Sequence, residues 1–211
     1  NLLTRQNMET TTLATTLEDG SIVYLAGNAA IHYPEHFQPD KREISLQGNA
    51  LFDIAGNRKR PFLIETEDAR IEVLGTAFNV KSDGSQPFEL SVQRGLVKVT
   101  LKKSGQDVHV KAGETVTLSS RKLQVRQTKD TGQFEEYVRQ IRFKDERLAD
   151  ILRVINLNAE DISLKTTPEL ESRTLTVTFA DNSPETMAEL ICFALDLKCT
   201  RENNVITLHE N

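Results

Sequence analysis

Through the first 120 residues apolar and polar side chains alternate, the pattern of half-buried β-strands. A frame recurs within this alternation: an apolar pair two residues apart, a Gly shortly after, then a second alternating pair. It reads Val23-Tyr24-Leu25-Ala26-Gly27 before Ala29 and Ile31, then Ile44-Ser45-Leu46-Gln47-Gly48 before Ala50, Phe52 and Ile54. Further copies are Ile71-Glu72-Val73-Leu74-Gly75, Leu90-Ser91-Val92-Gln93-Arg94-Gly95 and Val108-His109-Val110-Lys111-Ala112-Gly113. The glycines at 27, 48, 75, 95 and 113 are 21, 27, 20 and 18 residues apart. Each copy has too little apolar face to fold alone, so the copies must share one core. Gly at every corner provides for a positive φ or for a closely approaching neighbouring backbone. Two architectures satisfy the pattern: a stacked, solenoid-like array of β-units, and an antiparallel sandwich of short hairpins. Turn signals at Asp19-Gly20, Asp83-Gly84-Ser85 and Ser104-Gly105 mark the reversals between strands.

From about Gln133 the period changes. Leu148, Ile151, Leu152 and Ile155 follow helical spacing, which predicts a helix over Asp145–Leu157 with Asp145 as N-cap. A second helix opens at Asn182-Ser183-Pro184, with Ser183 as N-cap, Pro184 in the first turn and Met187, Leu190, Ile191 and Ala194 as its expected core face. An offset of 36 lays Phe143 on Phe179, Ile151 on Met187 and Ile155 on Ile191, so the segment reads as a duplicated β-α-β unit. Strands are expected at Ile162–Leu164, Leu197–Cys199 and Val205–Leu208, with the helices on one face of a small sheet. The expected organisation is an all-β domain over 1–125, a connector over 126–138 and a β-α-β-β-α-β domain over 139–211. The fold class is mainly β with an α+β second part.

Composition narrows the function classes. The net charge of −5 argues against a nucleic-acid binder held by phosphate contacts. Residues 1–130 carry 17 basic and 16 acidic side chains, and residues 131–211 carry 9 and 15, so the balance steps from +1 to −6 at the expected boundary. No run reaches the 18 or so apolar residues of a membrane span, and any signal or anchor is expected upstream of Asn1. No nucleophile elbow, Gly-rich phosphate loop or paired zinc-ligand spacing occurs, so no enzyme activity, cofactor or metal is expected. His32 and His36 are four apart, but Pro34 between them breaks the helix that would align them as ligands. Arg58-Lys59-Arg60 reads as a solvated loop. Cys192 and Cys199 are open to two readings: small core hydrophobes, or a short helix-to-strand disulfide in an oxidising compartment.

The strings themselves resemble a family. Leu17-Glu18-Asp19-Gly20-Ser21-Ile22-Val23-Tyr24-Leu25 is similar to the "LPDGTRVWLN" opening of FecR-like anti-sigma regulators, and Gly48-Asn49-Ala50-Leu51-Phe52-Asp53-Ile54 to their "GEAYFEV". Pro61-Phe62-Leu63-Ile64-Glu65-Thr66 through Val73-Leu74-Gly75-Thr76-Ala77-Phe78-Asn79-Val80 matches "PFxVxT…VLGTxFNV", the most specific of the family's signatures. Arg94-Gly95-Leu96-Val97-Lys98-Val99 and Ala112-Gly113-Glu114 continue the match in order. Tyr24 and Tyr137 stand where the family usually has Trp, and Ala26 replaces the usual Asn. The second part resembles the C-terminal domain of the Bacteroidetes branch, with Pro168-Glu169-Leu170 ahead of the Arg173–Phe179 strand, and also the short N-terminal signalling domain of secretins and TonB-dependent transporters.

The resemblance implies the periplasmic part of a regulator that crosses the inner membrane once, upstream of Asn1. A cytoplasmic domain outside this chain would hold an extracytoplasmic-function sigma factor. The periplasmic part would sense the signalling domain of an outer-membrane TonB-dependent transporter by protein–protein recognition. The alternative is a cell-envelope module that binds a glycan or peptide; three Tyr and no Trp offer it few aromatic platforms. From the residues alone, the cleanly alternating stretch of Arg173, Thr174, Thr176 and Thr178 is a candidate edge strand open to strand addition, against the simpler reading of an internal strand with a threonine face.

Overall fold

The computed structural model describes residues 1–211, which divide into two compact units, Asn1–Tyr137 and Val138–Asn211. The first unit holds fourteen strands. They are β1 (Leu2–Gln6), β2 (Thr12–Thr16), β3 (Ile22–Leu25), β4 (Ala30–Pro34), β5 (Arg42–Gln47), β6 (Ala50–Asp53) and β7 (Phe62–Glu65). There follow β8 (Ala69–Val73), β9 (Ala77–Lys81), β10 (Glu89–Arg94), β11 (Leu96–Leu101), β12 (Asp107–Lys111), β13 (Glu114–Ser119) and β14 (Lys122–Gln127). One sheet has the order β1-β4-β5-β7-β8-β11-β12; in the other, the strands of this unit run β2-β3-β6-β9-β10-β13-β14. Neighbours are antiparallel except β5 and β7.

The chain makes a strand or a hairpin in one sheet, crosses, and makes the next in the other. That winding is what the repeat encodes, and it joins the two expected architectures: a two-layered sandwich wound as a coil. Alternation follows directly, since every second side chain must face the opposite layer. Val23, Ile31, Phe52, Ile64, Phe78, Val80, Leu90 and Val99 fill the space between the sheets and are wholly buried. All five repeat glycines lie at crossings. At Gly48 the backbone has φ +94° and a Cβ would fall 2.9 Å from the Cα of Ala29, in the preceding crossing. At Gly75 a Cβ would stand 2.6 Å from the Cα of Gly56. These two corners therefore stack backbone on backbone, which a side chain would prevent.

One end of the sandwich is braced by a buried charge. Arg42 follows the inward phase of Ile44 and Leu46, and its side chain is 1% exposed. Its Nη1 donates to Asp19 Oδ2 at 2.9 Å and to the Ala55 carbonyl at 2.6 Å, and its Nε donates to the Arg60 carbonyl at 2.7 Å. Nη2 reaches the carbonyls of Leu74 at 3.3 Å and Asn57 at 3.5 Å, and the guanidinium lies 5.3 Å from the centre of the Phe62 ring. Asp19 belongs to the β2–β3 turn and Arg42 to the opposite sheet, so this pair staples the two layers.

Residues 126–138, expected as a connector, hold the end of β14 and most of helix α1 (Gln133–Arg139). Gln133 and Phe134 are buried. Asn79 Nδ2 donates to Gln133 Oε1 at 2.8 Å, and Tyr137 Oη donates to Asn79 Oδ1 at 2.7 Å. Burial raises the Tyr137 phenol well above its usual range.

The second unit runs β15 (Gln140–Arg147), α2 (Leu148–Asn158), β16 (Ser163–Thr166), a short 3₁₀ turn (Pro168–Leu170), β17 (Thr174–Ala180), α3 (Pro184–Leu195), β18 (Lys198–Glu202) and β19 (Val205–His209). Two β-α-β passages are present, with β19 added, and their strands divide between two ladders instead of forming one sheet. Strand β15 pairs antiparallel with β17, while β19 pairs parallel with β16 and antiparallel with β18. The duplicated Phe143 and Phe179 meet edge-on, 6.2 Å between ring centres.

Two local expectations are corrected here. Helix α2 begins at Leu148 behind Arg147, whose side chain makes no capping hydrogen bond. Asp145 sits instead at φ +51° in an irregularity of β15 between Phe143 and Glu146, where its amide donates to Thr176 Oγ1 at 3.0 Å. Asp tolerates that left-handed conformation better than most residues, which suits a bulge as well as a cap. Helix α3 does start with Ser183 capping and Pro184 in the first turn. Its buried face, however, is Ala188, Ile191 and Cys192; Leu190 and Ala194 are exposed. Eight of its twelve residues are apolar, so periodicity left its rotation undetermined.

Candidate protein-recognition surface

Strand β17 places the predicted edge residues. Leu175 and Phe179 face inward and are buried, Val177 is half-buried, and Thr174, Thr176 and Thr178 face solvent. In this unit β17 pairs with β15 alone, Phe143 standing opposite Val177 and Arg142 opposite Thr178, so its other edge carries backbone donors and acceptors unused by the ladder. Thr176 is oriented by the Asp145 bulge, receiving its amide and donating to Oδ1 at 3.3 Å. Arg173, exposed just ahead of the strand, donates from Nη1 to the Leu195 carbonyl at 3.4 Å, tying the start of β17 to the end of α3. The alternating threonines were legible as a face; the open edge follows from topology.

Cys192 on α3 and Cys199 on β18 stand as free thiols, the first buried and the second exposed. Cys199 Sγ donates to the Ala188 carbonyl at 3.5 Å. Burial, then the neighbouring Cys199, push the Cys192 thiol up to about 12.

The histidines serve local hydrogen bonds. His32 Nδ1 lies 2.9 Å from Thr4 Oγ1, and His36 Nδ1 lies 3.1 Å from Glu18 Oε2; both line one groove of about 350 Å³ with Lys41, Glu43 and Glu65. Glu18 also accepts the Phe37 amide at 2.5 Å, which holds its carboxyl below the usual range, and Glu18 in turn raises His36. His109 lines a wider groove of about 800 Å³ with Lys98, Leu74 and Leu96, and His209 Nε2 pairs with Thr200 Oγ1 at 2.6 Å. In the 58–60 loop Arg58 and Lys59 are exposed, and Arg60 donates to the Gln38 carbonyl.

The stretch Val73–Val80 is a corner and its following strand. Gly75 makes the close approach to Gly56, Thr76 is buried, Phe78 stacks on Phe52 at 5.3 Å, and Asn79 receives Tyr137. Tyr24 is buried on β3. Residues 7–98 match the family model described as FecR protein. They form a FecR domain. The FecR-like resemblance read from the motifs is borne out, and its strings, Val99 and Ala112-Gly113-Glu114 excepted, fall within these residues at corners and adjoining strands. Both units share their fold with the crystal structure of a candidate anti-sigma factor from Parabacteroides distasonis ATCC 8503, refined at 2.50 Å. That likeness has a TM-score of 0.59 at 20% identity over 100% of each chain. A second such crystal structure from that organism, at 1.65 Å, matches with a TM-score of 0.59 at 20% identity over 99% of each chain. No curated protein matches the chain in sequence.

Two features lay outside the sequence reading. Arg42 is in phase with inward Ile44 and Leu46, a signal the alternation contained. Phe193, 90% exposed on α3, gave no sign of its orientation in a helix two-thirds apolar.

Proposed function

We propose that this chain is the periplasmic, signal-receiving part of a transmembrane anti-sigma factor. Its partner in that compartment is the signalling domain of a TonB-dependent outer-membrane transporter. A single span upstream of Asn1 would connect it to the cytoplasmic domain that holds an extracytoplasmic-function sigma factor. The FecR domain over 7–98 carries this reading. It is supported by the second unit, which ends one ladder in the open edge of β17. Recognition by strand addition uses backbone hydrogen bonds for affinity and side chains on alternate positions for selection. Here Arg173, Thr174, Thr176 and Thr178 are the selecting side chains, and no bond is made or broken. The test is titration of this chain with purified signalling domains of transporters encoded beside it. One of them is expected to bind, and Thr176→Pro, with an unchanged circular dichroism spectrum, is expected to weaken it at least tenfold. Failure of every signalling domain to bind refutes the relay; unchanged binding by the proline variant removes β17 from it.

A further inference from the structure

Helix α3 carries more apolar surface than its unit buries. Around its axis Ala188, Ile191 and Cys192 form the inner stripe, Leu190 and Phe193 fall on the opposite side, and Met187 and Ala194 lie on the flank between them. Met187 is half-buried, Leu190 is 41% exposed, and Phe193 is 90% exposed. Single exposed apolar residues are ordinary, but a contiguous row with an aromatic ring at its end is the composition of an interface centre. The row is bordered by one sign of charge. Glu189 lies one helical turn before Phe193, Glu185 one turn before Glu189, and the helix contains no Lys or Arg. Residues 138–211 carry 13 acidic and 9 basic side chains, a balance of −4. A two-fold contact between copies of this chain would set the glutamates of one α3 against those of the other, so the charge favours a different occupant. The row is also continuous with the edge described above, since Arg173 at the start of β17 bonds the Leu195 carbonyl, two residues beyond Phe193.

The geometry points to the Met187–Leu190–Phe193 row of α3 as a second docking surface for the transporter signalling domain, which would meet it with an apolar pocket rimmed by Lys or Arg. This rests on the function proposed above and adds to it a pocket for Phe193 and a charge pattern. Phe193 is the anchor, and Glu185 and Glu189 steer the approach.

The experiment titrates the whole chain with the purified signalling domain of the transporter encoded beside it, using wild type, Phe193→Asp and Glu185→Gln/Glu189→Gln. Phe193 makes little internal packing, so the aspartate variant keeps the wild-type melting temperature. The expected result is about 30-fold weaker binding for Phe193→Asp. For the glutamine pair, association is expected to be several-fold slower in low salt, with the difference shrinking in high salt. Binding by Phe193→Asp at wild-type strength overturns the docking surface while leaving the anti-sigma reading in place. A salt response unchanged by the glutamine pair overturns the basic rim. No binding by wild type overturns both readings together. A wild-type dimer in sedimentation that Phe193→Asp converts to monomer overturns the inference by making a second copy the occupant.

Discussion

Arg42 gives the sharpest test of how the first unit is held together. Replacing it with Ala leaves the Asp19 carboxylate, 8% exposed, without its ion-pair partner, and frees the carbonyls of Ala55 and Arg60 that the guanidinium satisfies at 2.6 and 2.7 Å. Removing one partner of a buried ion pair costs about 3–5 kcal/mol, because the remaining charge is stranded. An orphaned carbonyl adds about 1–3 kcal/mol, but the 55–61 loop can open to water, so the terms do not sum. We expect a loss of about 4 kcal/mol, against a total stability of about 5–15 kcal/mol for a domain. At about 2–4 °C per kcal/mol for a chain of this size, the melting temperature falls by about 8–16 °C. The chain has no Trp, so urea unfolding is followed by circular dichroism in the strand band, with the slope held at the wild-type value. Arg42→Lys keeps the charge but loses the planar fork, and lands near half that loss. Hydrogen exchange at the Asn57 amide, which donates to the Leu74 carbonyl at 2.8 Å, should accelerate in step. A loss below about 1 kcal/mol for Arg42→Ala, with Asn57 still protected, would refute the brace: the loops would then be held by their own turns.

Gly75→Ala forces a Cβ to within 2.6 Å of the Gly56 backbone and should cost about 1–3 kcal/mol in urea unfolding, whereas Gly56→Ala, whose own Cβ would meet open space, should change stability by less than about 1 kcal/mol. Equal effects would remove the stacked corners as the reason for the glycine. Mild oxidation is expected to join Cys192 and Cys199 within one chain, stabilising the short loop by about 2.5 kcal/mol at most; in the reduced protein a maleimide should label Cys199 and spare Cys192, whose thiol is pushed up to about 12. Two labelled sites in the native protein, or only intermolecular bridges, would contradict the pairing. The Glu18 carboxyl is lowered in the fold, so its contribution is present above its unfolded value near about pH 4.3 and is lost as pH falls through the lower folded value. His36 is raised, so its contribution is complete below about pH 6.5 and is lost as pH rises through the raised value. Protection of the Phe37 amide should therefore peak between those limits and disappear in Glu18→Gln at every pH; a flat profile would show that the loop holds itself.

Where the sequence was legible, a single physical demand acted on it. The Val23, Ile44, Ile71, Leu90 and Val108 frames alternate because each strand has one dry face, and their glycines mark crossings because a Cβ has no room at 27, 48, 75 and 95 and the backbone turns to φ +86° at 113. Where two demands competed, residue type alone was ambiguous. Asp145 is as good a bulge residue as a helix cap, and only the ladder with β17 decides between them. The β13–β14 reversal uses Ser120 and Arg121, both at positive φ, with no Gly or Asn to announce it. In α3 the face of Met187, Leu190 and Ala194 looked like core because it is apolar. Its exposure depends on which side of a short helix the rest of the unit covers. Thr174, Thr176 and Thr178 declare a solvent face, but whether a strand is at an edge is a property of its neighbours.

In both sheets of the first unit the strands lie side by side in the order in which the chain makes them. The farthest pairings there in sequence, Leu2 with Pro34 and Ala69 with Leu101, span only 32 residues. Few all-β folds are so local; long-range pairing is what usually slows them and exposes them to aggregation. A chain delivered N-terminus first can thus add each hairpin to an edge that already exists, and for the pairings within this unit no early strand has to wait for a distant partner. The same order makes the unit tolerant of loss from one direction. A chain ending after β12 forfeits the last hairpin of the stack, as an array forfeits its last repeat, and strand β10 loses its β13 neighbour, while the pairings among β1 to β12 are kept.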